Sequence, residues 1–336
     1  MLSRDNWLLA VEEDILEPEL PIIDAHHHLW RHDPPGDYLI DQYWRDTHTG
    51  HNVCASVFVE CGAQYRSQGP IHLQPVGETE FAASEAASSR GGASGFPCIK
   101  AIVSFADLTL GAAVEEVLLA HVEAGQGLFR GVRHATAWDA ADSIKNSHTK
   151  PSQFLLSDSR FREGLATLAR LGFSFDSWLY HPQIPELTNL ARAYPNQTII
   201  LDHIGGPLGV GPYAGQQRDI FNAWRRDINE LAACQNVVVK LGGVAMPING
   251  FGWHSQQSPP TSDDLVAANA AYYYHVIEKF GPHRCMFESN FPVDRQSVSY
   301  SVLWNAFKKI AKKYSEAEKK SMFYDTAVRI YHLEGL

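Results

Sequence analysis

The sequence predicts an α/β protein built as one (β/α)8 barrel of the TIM type. Eight short apolar runs are bounded by turn residues, and most begin almost continuously apolar, as expected for parallel strands buried on both faces. Helical patterns separate these runs. No internal repeat and no Gly/Ser-rich linker divides the chain. We therefore expect a single domain over residues 1–336, with residues 1–20 as an N-terminal extension.

The eight predicted strands share an apolar beginning and end in polar or turn residues. They are Pro21–Trp30, Val53–Gly62, Cys98–Asp107, Leu128–Ala135, Phe173–His181, Thr198–Gly206, Val237–Gly243 and Cys285–Asp294. A doubly wound sheet is the alternative, but it needs a glycine-rich phosphate turn after the first strand. The sequence His26-His27-His28 occupies that place instead, which favours the barrel.

Five segments carry the apolar periodicity of amphipathic helices. They are Gly111–Ala124, Ser157–Leu171, Phe221–Cys234, Leu265–Phe280 and Glu316–His332. Ser315 and Glu318 have the spacing of a capping box for the last of these helices. The segments Arg31–Asn52 and Met246–Asp264 lack a regular pattern, and we predict that both are long loops.

The composition is that of an ordinary globular protein, with 45% hydrophobic and 20% charged residues. The formal net charge of −10 argues against a nucleic-acid partner, which requires a basic surface. No apolar run is long enough to span a membrane, and residues 1–20 lack the basic start and apolar core of a signal peptide. The five cysteines form no CxxC pair. We expect a cytoplasmic protein with a small-molecule substrate, and the exposed helices are compatible with a homodimer.

Histidines collect at the ends of three predicted strands. Residues two apart in a strand share a face, so His26 and His28 should point into the barrel mouth while His27 points outward. His181 ends the fifth predicted strand, and His203 lies at the end of the sixth. Neutral imidazole binds divalent metals well. The carboxyl ends of barrel strands are also where catalytic groups lie, so the sequence predicts an active site there.

A series of motifs at these strand ends resembles the amidohydrolase superfamily. More narrowly, it resembles the branch that contains 2-pyrone-4,6-dicarboxylate lactonase and related sugar and muconolactone lactonases. The motifs are DAHHHLW (Asp24–Trp30), VFVECG (Val57–Gly62), FRGVRH (Phe129–His134), LYHPQ (Leu179–Gln183), LDHIGGP (Leu201–Pro207), KLGG (Lys240–Gly243) and RCMFESNFPVD (Arg284–Asp294). The resemblance implies a distorted, metal-dependent-hydrolase-like barrel that hydrolyses or decarboxylates a small carboxylated substrate.

The resemblance also implies roles for single residues. In metal-using members, the residues that match His26, His28 and His181 hold one divalent metal, usually zinc, together with an aspartate on the eighth strand. The residue that matches His203 then handles protons or the developing oxyanion. In the pyrone lactonase and its close relatives that aspartate is the base that activates water, and some of these enzymes need no metal. One divalent ion, with zinc preferred, is expected here, while a metal-free mechanism stays open.

The eighth strand departs from the family pattern, because Asn290 stands where an aspartate is usual. A neutral amide is a poor base and a poor anionic ligand. Glu288 lies two residues earlier and shares the inward face, so it is the preferred replacement. Asp294, on the exit loop, is the alternative carboxylate. A site without an acidic base is the third interpretation, and Asn290 is kept as a candidate substrate contact.

Other side chains near the strand ends are candidates for substrate contact. Arg133 is expected to hold a substrate carboxylate, because guanidinium binds carboxylates in a bidentate manner. A salt bridge to a loop acid is the alternative for this residue. Trp253 and His254, in the loop after the seventh strand, are also candidate substrate contacts. Glu60 is equally compatible with the site and with a structural role.

Strand alternation places two further aspartates. Asp202 should point out of the barrel, because it precedes the inward-facing His203. Asp24 should share the face of His26 at a deeper level, where it would orient an imidazole.

The sequence therefore predicts a hydrolase of a small carboxylate-bearing lactone or related cyclic ester. Water would attack the carbonyl at the barrel mouth, and Glu288 or Asp294 would take the proton. The four histidines would hold either a divalent metal or the developing oxyanion. A metal-dependent non-oxidative decarboxylase of an aromatic acid is the first alternative. A non-catalytic barrel that binds a small ligand is the second.

Overall fold

The computed structural model describes residues 4–32, 36–90 and 95–335. Its centre is a sheet of eight parallel strands, in which each strand pairs with the next one along the chain. The strands are β1 (Ile22–His27), β2 (Val53–Val59), β3 (Cys98–Ser104), β4 (Phe129–Arg133), β5 (Ser174–Ser177), β6 (Ile199–Leu201), β7 (Val237–Leu241) and β8 (Cys285–Phe287). All eight predicted strands are present. Each ends earlier than predicted, because the polar residues at its carboxyl end leave the sheet.

The sheet closes into a barrel through contacts between its first and last strands. The amide of Asn290 donates to the carbonyl oxygen of His26 at 2.9 Å, and the amide of His28 donates to that of Phe291 at 2.7 Å. Both bonds lie just beyond β8, at the carboxyl end of the strands. The predicted (β/α)8 class is therefore confirmed.

Eleven α-helices lie in the described residues, and most of them alternate with the strands. They are α1 (Arg4–Leu8), α2 (Ile40–Thr47), α3 (Val76–Arg90), α4 (Val114–Ala124), α5 (Ser159–Arg170), α6 (Ile184–Ala193), α7 (Gln217–Ala232), α8 (Ser262–Phe280), α9 (Tyr300–Ala311), α10 (Glu316–Lys320) and α11 (Thr326–Ile330). The five predicted helices correspond to α4, α5, α7, α8 and the α10–α11 pair, which a π-helical turn joins. The capping box of Ser315 and Glu318 is present. Within the described ranges, no helix combines the length and apolarity needed to cross a bilayer.

The prediction that Arg31–Asn52 is a loop is wrong in part. Helix α2 lies within Arg31–Asn52, and residues 33–35 of that segment fall outside the described residues. Two helical turns are too short to produce a periodic pattern that stands out in the sequence. The second predicted loop, Met246–Asp264, contains only short 3-10 turns before α8 begins.

Apolar cores lie on both faces of the sheet. The outer core packs the helices against the strands. The inner core fills the barrel with small and β-branched side chains such as Ala25, Val57 and Val238. Tyr331, just after α11, also belongs to the inner core. Arg130, near the start of β4, donates to the carbonyl oxygen of Tyr331 at 2.8 Å, so this segment closes the end of the barrel opposite the mouth.

The residues before β1 pack against the outside of the barrel. The carboxylate of Glu13 accepts from the amide of Ser262 at 2.7 Å and from the side chain of Asn305 at 3.1 Å. Lys308 on α9 donates to the backbone oxygens of Leu16 and Glu17 at 2.9 and 2.8 Å. These bonds attach the N-terminal extension to α8 and α9, and residues 1–3 of it fall outside the described part of the chain.

Candidate active site

Two histidines at the end of β1 turn their imidazoles toward each other. The Nε2 atoms of His26 and His28 lie 3.2 Å apart. Nδ1 of His28 lies 2.8 Å from the carbonyl oxygen of Val59, which can only accept, so Nδ1 of His28 carries a proton. His27 instead stacks on Tyr43 of α2, with ring centroids 4.2 Å apart. The three rings therefore alternate in direction as the sequence predicts.

The face of Asp24 differs from the prediction. The pairing of β1 with β2 is irregular just beyond Asp24, so simple alternation does not continue to His26. The Asp24 carboxylate accepts from the hydroxyls of Tyr43 and Tyr300, both at 3.0 Å, and from that of Ser289 at 2.6 Å. Asp24 thus faces the helix layer, and the prediction that it orients an imidazole is wrong.

Glu288, the first residue after β8, joins two imidazoles. Its Oε1 atom lies 2.6 Å from Nδ1 of His203 and accepts from the His203 amide at 3.1 Å. Its Oε2 atom lies 2.9 Å from Nδ1 of His26. Burial alone would raise the pKa of Glu288, but the imidazoles of His203 and His26 outweigh burial and lower the pKa to about 2. Glu288 is therefore an ionised carboxylate that holds two rings.

His203 reaches this carboxylate because the chain turns sharply after β6. His203 and Ile204 have left-handed φ angles of 54° and 52°, which few residues other than glycine adopt. The turn directs both Asp202 and His203 toward the barrel axis. The prediction that Asp202 points outward is therefore wrong, because strand alternation ends at Leu201, where β6 ends.

Two glycines after β7 leave room for these side chains. A Cβ atom on Gly242 would overlap Glu288, and a Cβ atom on Gly243 would overlap the ring of His203. Gly243 also has a φ angle of +63°, a region that favours glycine. The close approach of β7 to Glu288 and His203 thus explains the two glycines of the KLGG motif.

A buried cation and two carboxylates lie inside the barrel beneath the histidines. Nζ of Lys240 lies 2.6 Å from Asp176 and 3.1 Å from Asp202. It also lies 3.1 Å from Nδ1 of His26. The hydroxyl of Tyr331 donates to Asp176 at 2.7 Å. Burial lowers the pKa of Lys240, but Asp176 and Asp202 outweigh burial and raise the pKa, so Lys240 is an ammonium.

Motifs and alternation did not reveal Asp176 and Lys240 as parts of the site. A signal was present, because Lys240 is the one charged residue of the otherwise apolar β7 and Asp176 is the one charged residue of β5, beside Phe175. Buried charges are rare unless they are paired or functional, so a charge in such a strand indicates a polar centre within the barrel.

Arg133, at the end of β4, is paired with Glu60. Its Nε atom lies 2.7 Å from the Glu60 carboxylate, and Nη2 donates to the Glu60 backbone oxygen. Nη1 lies 3.3 Å from Nε2 of His26 and 3.6 Å from Asp202. Burial would raise the pKa of Glu60, but Arg133 and His148 outweigh burial and lower the pKa to about 2. Arg133 therefore forms a salt bridge to an acid, as the alternative interpretation stated.

Asn290 and Asp294 contact each other after β8. The Asn290 side chain donates to Asp294 at 3.1 Å, and the amide of Ala245 donates to the other carboxylate oxygen at 3.2 Å. Burial raises the pKa of Asp294 to about 7, although nearby His203 and these hydrogen bonds oppose the shift. Asp294 therefore changes protonation state near neutral pH.

Three further residues of the predicted site make their contacts away from this cluster. Nδ1 of His181 accepts from the amide of Leu208 at 3.3 Å. Trp253 stacks on Phe251, with ring centroids 4.4 Å apart, and belongs to the outer core. His254 lies in the same short turn as Trp253. The ligand role of His181 and the substrate contacts of Trp253 and His254 stay predictions.

The two β1 histidines offer half of a metal site. Their Nε2 atoms converge as two ligands of one tetrahedral ion would. However, the guanidinium of Arg133 lies 3.3 Å from Nε2 of His26, and this cation would repel a metal ion at that face.

The remaining donors do not complete the set. Among the described residues, one group of three candidate ligands has atoms within 4.8 Å of one another, namely His26, Asp202 and His203. Glu288 lies between the two rings of this group, with contacts of 2.9 and 2.6 Å. His181 is not a member. The predicted set of His26, His28 and His181 is therefore not assembled here, and the donors that do converge among the described residues are His26, Asp202 and His203.

Comparisons with known proteins agree with this fold. A family model described as Amidohydrolase matches residues 23–333. The protein named Uncharacterized protein y4mH, from Sinorhizobium fredii, is 30% identical over 94% of this chain and 99% of its own. The L-fucono-1,5-lactonase of Burkholderia multivorans is 27% identical over 93% of this chain and 96% of its own. The crystal structure of a Burkholderia multivorans amidohydrolase with bound zinc has a TM-score of 0.72 at 24% identity, over 93% of this chain and 99% of that one. The chain therefore belongs to the amidohydrolase family of hydrolases.

Proposed function

We propose that the chain hydrolyses a small lactone, with His203 as the general base that activates a water molecule. The observation that carries this proposal is the contact of an ionised carboxylate, Glu288, with Nδ1 of His203 at 2.6 Å. A carboxylate there keeps the proton on Nδ1 and leaves Nε2 as the base. It also stabilises the imidazolium that forms when His203 takes a proton from water.

Glu288 acts through His203 in this proposal. Its side chain is fully buried, and its two oxygens contact His203 and His26. It is therefore a positioning residue, and the proton goes to His203. Asp294 is the second candidate base, because its pKa of about 7 suits proton transfer at neutral pH.

We assign His26 to the oxygen of the lactone carbonyl. Its Nε2 atom lies 3.2 Å from Nε2 of His28 and 3.3 Å from the guanidinium of Arg133. Water attack turns the carbonyl oxygen into an oxyanion. An N–H group held in a water-poor site stabilises this charge strongly, because its dipole needs no reorganisation.

The substrate that we favour is a neutral lactone that carries hydroxyl groups. A substrate carboxylate would need Arg133, whose charge is already balanced by Glu60 at 2.7 Å. The similarity to an L-fucono-1,5-lactonase supports a lactone ring as the reacting group. A carboxylate-bearing lactone, as the sequence predicts, is the second candidate, and it would require Arg133 to leave Glu60.

We further propose that water activation needs no metal, because Arg133 and Glu288 already engage His26. Zinc at His26 and His28 is the alternative, which the zinc in a related structure supports. Elemental analysis of untagged protein, with activity measured before and after chelation, tests the choice. We expect full activity after chelation. Loss of activity on chelation with recovery on adding zinc would contradict the metal-free route.

A substrate panel tests the function itself. Initial rates of acid release are measured with neutral sugar lactones and with carboxylate-bearing lactones, for wild type and His203→Asn. We expect turnover of neutral lactones and a loss in kcat of about 10²- to 10⁴-fold for the variant, the usual contribution of a general base. Ring-opened acid as the product supports hydrolysis, whereas CO2 would indicate the decarboxylase. Binding without turnover of any compound would indicate the non-catalytic barrel.

A further inference from the structure

His148 is a histidine at the barrel mouth for which the proposed reaction has no role. It lies in the loop that joins β4 to α5, its side chain is 40% exposed, and its Nε2 atom lies 3.0 Å from the buried carboxylate of Glu60. A Cβ atom on Gly62 would lie 3.1 Å from Cδ2 of His148, so the chain after β2 passes along that side of the ring. Within the described residues, Nδ1 of His148 has no hydrogen-bond partner. The edge of the ring that carries Nδ1 and Cε1 is therefore open.

Hydrogen bonds on both sides of His148 fix its place in the loop. The amide of Ser147 donates to the carbonyl oxygen of Ala137 at 2.9 Å, and the hydroxyl of Thr149 donates to that of Ala135 at 2.5 Å. Both acceptors lie just beyond β4, so the loop returns to the strand end at which it began. A side chain held in this way binds a ligand group at little entropic cost, because its loop is already ordered.

Two side chains connect His148 to the histidine that we assign to the carbonyl oxygen. One carboxylate oxygen of Glu60 contacts His148, and the other accepts from Nε of Arg133 at 2.7 Å. Nη1 of Arg133 in turn lies 3.3 Å from Nε2 of His26. The open edge of His148 and the ring of His26 therefore border the same mouth.

Aromatic rings that are only partly buried stand beside His148. Phe105, just after β3, lies edge-on to His148 with ring centroids 6.5 Å apart. Tyr65, in the segment after β2, stacks on Phe105 at 6.4 Å. Sites for small ligands combine apolar and aromatic walls with a few polar groups that fix the orientation of the ligand. The three rings offer this combination, with His148 as the polar member.

The contact with Glu60 determines which ligand group His148 can recognise. Burial would raise the pKa of Glu60, but Arg133 and His148 lower that pKa to about 2, so Glu60 is an anion that can only accept. Nε2 of His148 therefore donates to Glu60. Nδ1 then accepts a hydrogen bond when the ring is neutral and donates one when the ring is protonated. A hydroxyl group can bind both forms, because it donates as well as accepts, whereas a carboxylate can bind only the protonated form.

We infer that His148 is a specificity-determining residue whose Nδ1 atom binds a hydroxyl group of the substrate, with Phe105 beside the substrate ring. The inference rests on the proposed function, which favours a neutral lactone that carries hydroxyl groups. The alternative role of His148 is structural, as the second partner of Glu60. A structural role alone gives no preference between a hydroxylated substrate and the same substrate without its hydroxyl.

The preference is measured with one hydroxylated sugar lactone and a series of analogues that each lack a single hydroxyl group. The readout is kcat/KM for ring opening. In the wild type, we expect at least one analogue to react about 10-fold less well than the parent, the usual effect of one hydrogen bond. His148→Phe keeps the ring but removes both nitrogens, so it should react equally well with that analogue and with the parent.

His72→Phe is the matched control. His72 is 37% exposed, and its Nε2 atom lies 3.3 Å from the carboxylate of Glu116 on α4, so it resembles His148 in exposure and in its acidic partner. It has no contact with Glu60 among the described residues, and His72→Phe should keep the wild-type preference. Urea unfolding shows whether each variant is folded, and His148→Ala replaces His148→Phe if the latter is not.

Binding is measured independently of hydrolysis with cyclic ethers that carry the same hydroxyl groups but no ester. Titration calorimetry gives Kd for the parent ether and for each ether that lacks one hydroxyl. We expect the wild type to bind one of the deoxy ethers about 10-fold more weakly than the parent. His148→Phe should bind this pair with equal affinity.

The same preference in the wild type and His148→Phe overturns the inference, and so does a wild type that distinguishes none of the analogues. If the preference among ethers depends on His148 but no lactone is hydrolysed, the proposed function fails and the hydroxyl site stands. If lactones are hydrolysed and the preference does not depend on His148, only the inference fails.

Discussion

Replacing Glu288 by glutamine removes the negative charge between two imidazoles while keeping the shape of the side chain. The amide oxygen can still accept from the backbone amide and Nδ1 of His203, as the carboxylate does at 3.1 and 2.6 Å. The orientation of His203 should therefore persist. What is lost is the stabilisation of the imidazolium that forms when His203 takes a proton.

The pKa of Glu288 gives the size of this loss. The imidazoles of His203 and His26 overcome the effect of burial and lower the pKa from 4.5 to about 2. One pKa unit corresponds to about 1.4 kcal/mol, so the two rings together stabilise the charge of Glu288 by a net of about 3 kcal/mol after burial has opposed them. Losing this stabilisation from the transition state should lower kcat by about 10²-fold.

The assay compares kcat and KM for acid release from the best lactone of the panel. Glu78→Gln is a matched control, because Glu78 is also fully buried and accepts two backbone hydrogen bonds. Burial raises the pKa of Glu78 to about 8, so the same substitution changes no charge at neutral pH. We expect Glu78→Gln to keep wild-type kcat. Urea unfolding of both variants shows whether each is folded.

Unchanged kcat in Glu288→Gln would refute the assignment of His203 as a base supported by a carboxylate. A larger loss in Asp294→Asn than in Glu288→Gln would also refute it, because that result would place the base at Asp294. A rise in KM at constant kcat would show that Glu288 contributes to substrate binding alone.

Three further predictions concern the packing and the charges of the site. Gly243→Ala should lower kcat by about 10²-fold, because the added methyl group would displace the ring of His203. Gly127→Ala is the control. Gly127 also has a positive φ angle, +83°, but its Cβ would lie in open space, so this variant should keep wild-type kcat. Arg133→Met should lower the free energy of unfolding, measured in urea, by about 3–5 kcal/mol, because Glu60 is left as a buried charge without its cation. Adding Glu60→Gln to this variant should restore part of the lost stability. No recovery would show that the loss does not come from the unpaired charge of Glu60. The pKa of Asp294 is about 7 in the folded protein, against 3.8 for an ordinary aspartate, so the folded protein binds more protons than the unfolded chain between these pH values. The free energy of unfolding of the wild type should therefore fall, relative to Asp294→Asn, by up to about 4 kcal/mol as pH rises from 4 to 8, and parallel pH curves would count against this.

The fold was predictable because a barrel strand buried on both faces must be apolar along most of its length. Each of the eight runs in the sequence contains one strand. Helix α2 was not predictable in this way, because its two turns carry too few residues for a period to appear. The interruption of the last predicted helix by a π-helical turn also leaves no mark on the apolar pattern.

The site was predictable where side chains follow regular alternation and not where the backbone departs from it. His26, His28 and Glu288 face one another because alternation holds from His26 to His28 and because Glu288 directly follows β8. Asp24 and Asp202 face opposite to prediction because an irregular strand pairing and a left-handed turn interrupt the alternation.

Strand alternation also does not predict ion pairs between residues that are far apart in the sequence. Glu60 and Arg133 are 73 residues apart in the sequence and meet only because β2 and β4 both end at the mouth. Neither residue type nor spacing shows that their charges cancel. Because Glu60 balances its charge, Arg133 is less suited to hold a substrate carboxylate than its position at the barrel mouth suggests.

The hydroxyl of Tyr331 has a consequence for synthesis of the protein. Tyr331 follows all eight strands in chain order, yet it fills the barrel interior and holds Asp176, which in turn contacts Lys240. A nascent chain that has exposed every strand but not this segment therefore has an open barrel end and an incomplete charge network. Catalytic competence should appear only after Tyr331 has left the ribosome, later than the barrel strands themselves can pair.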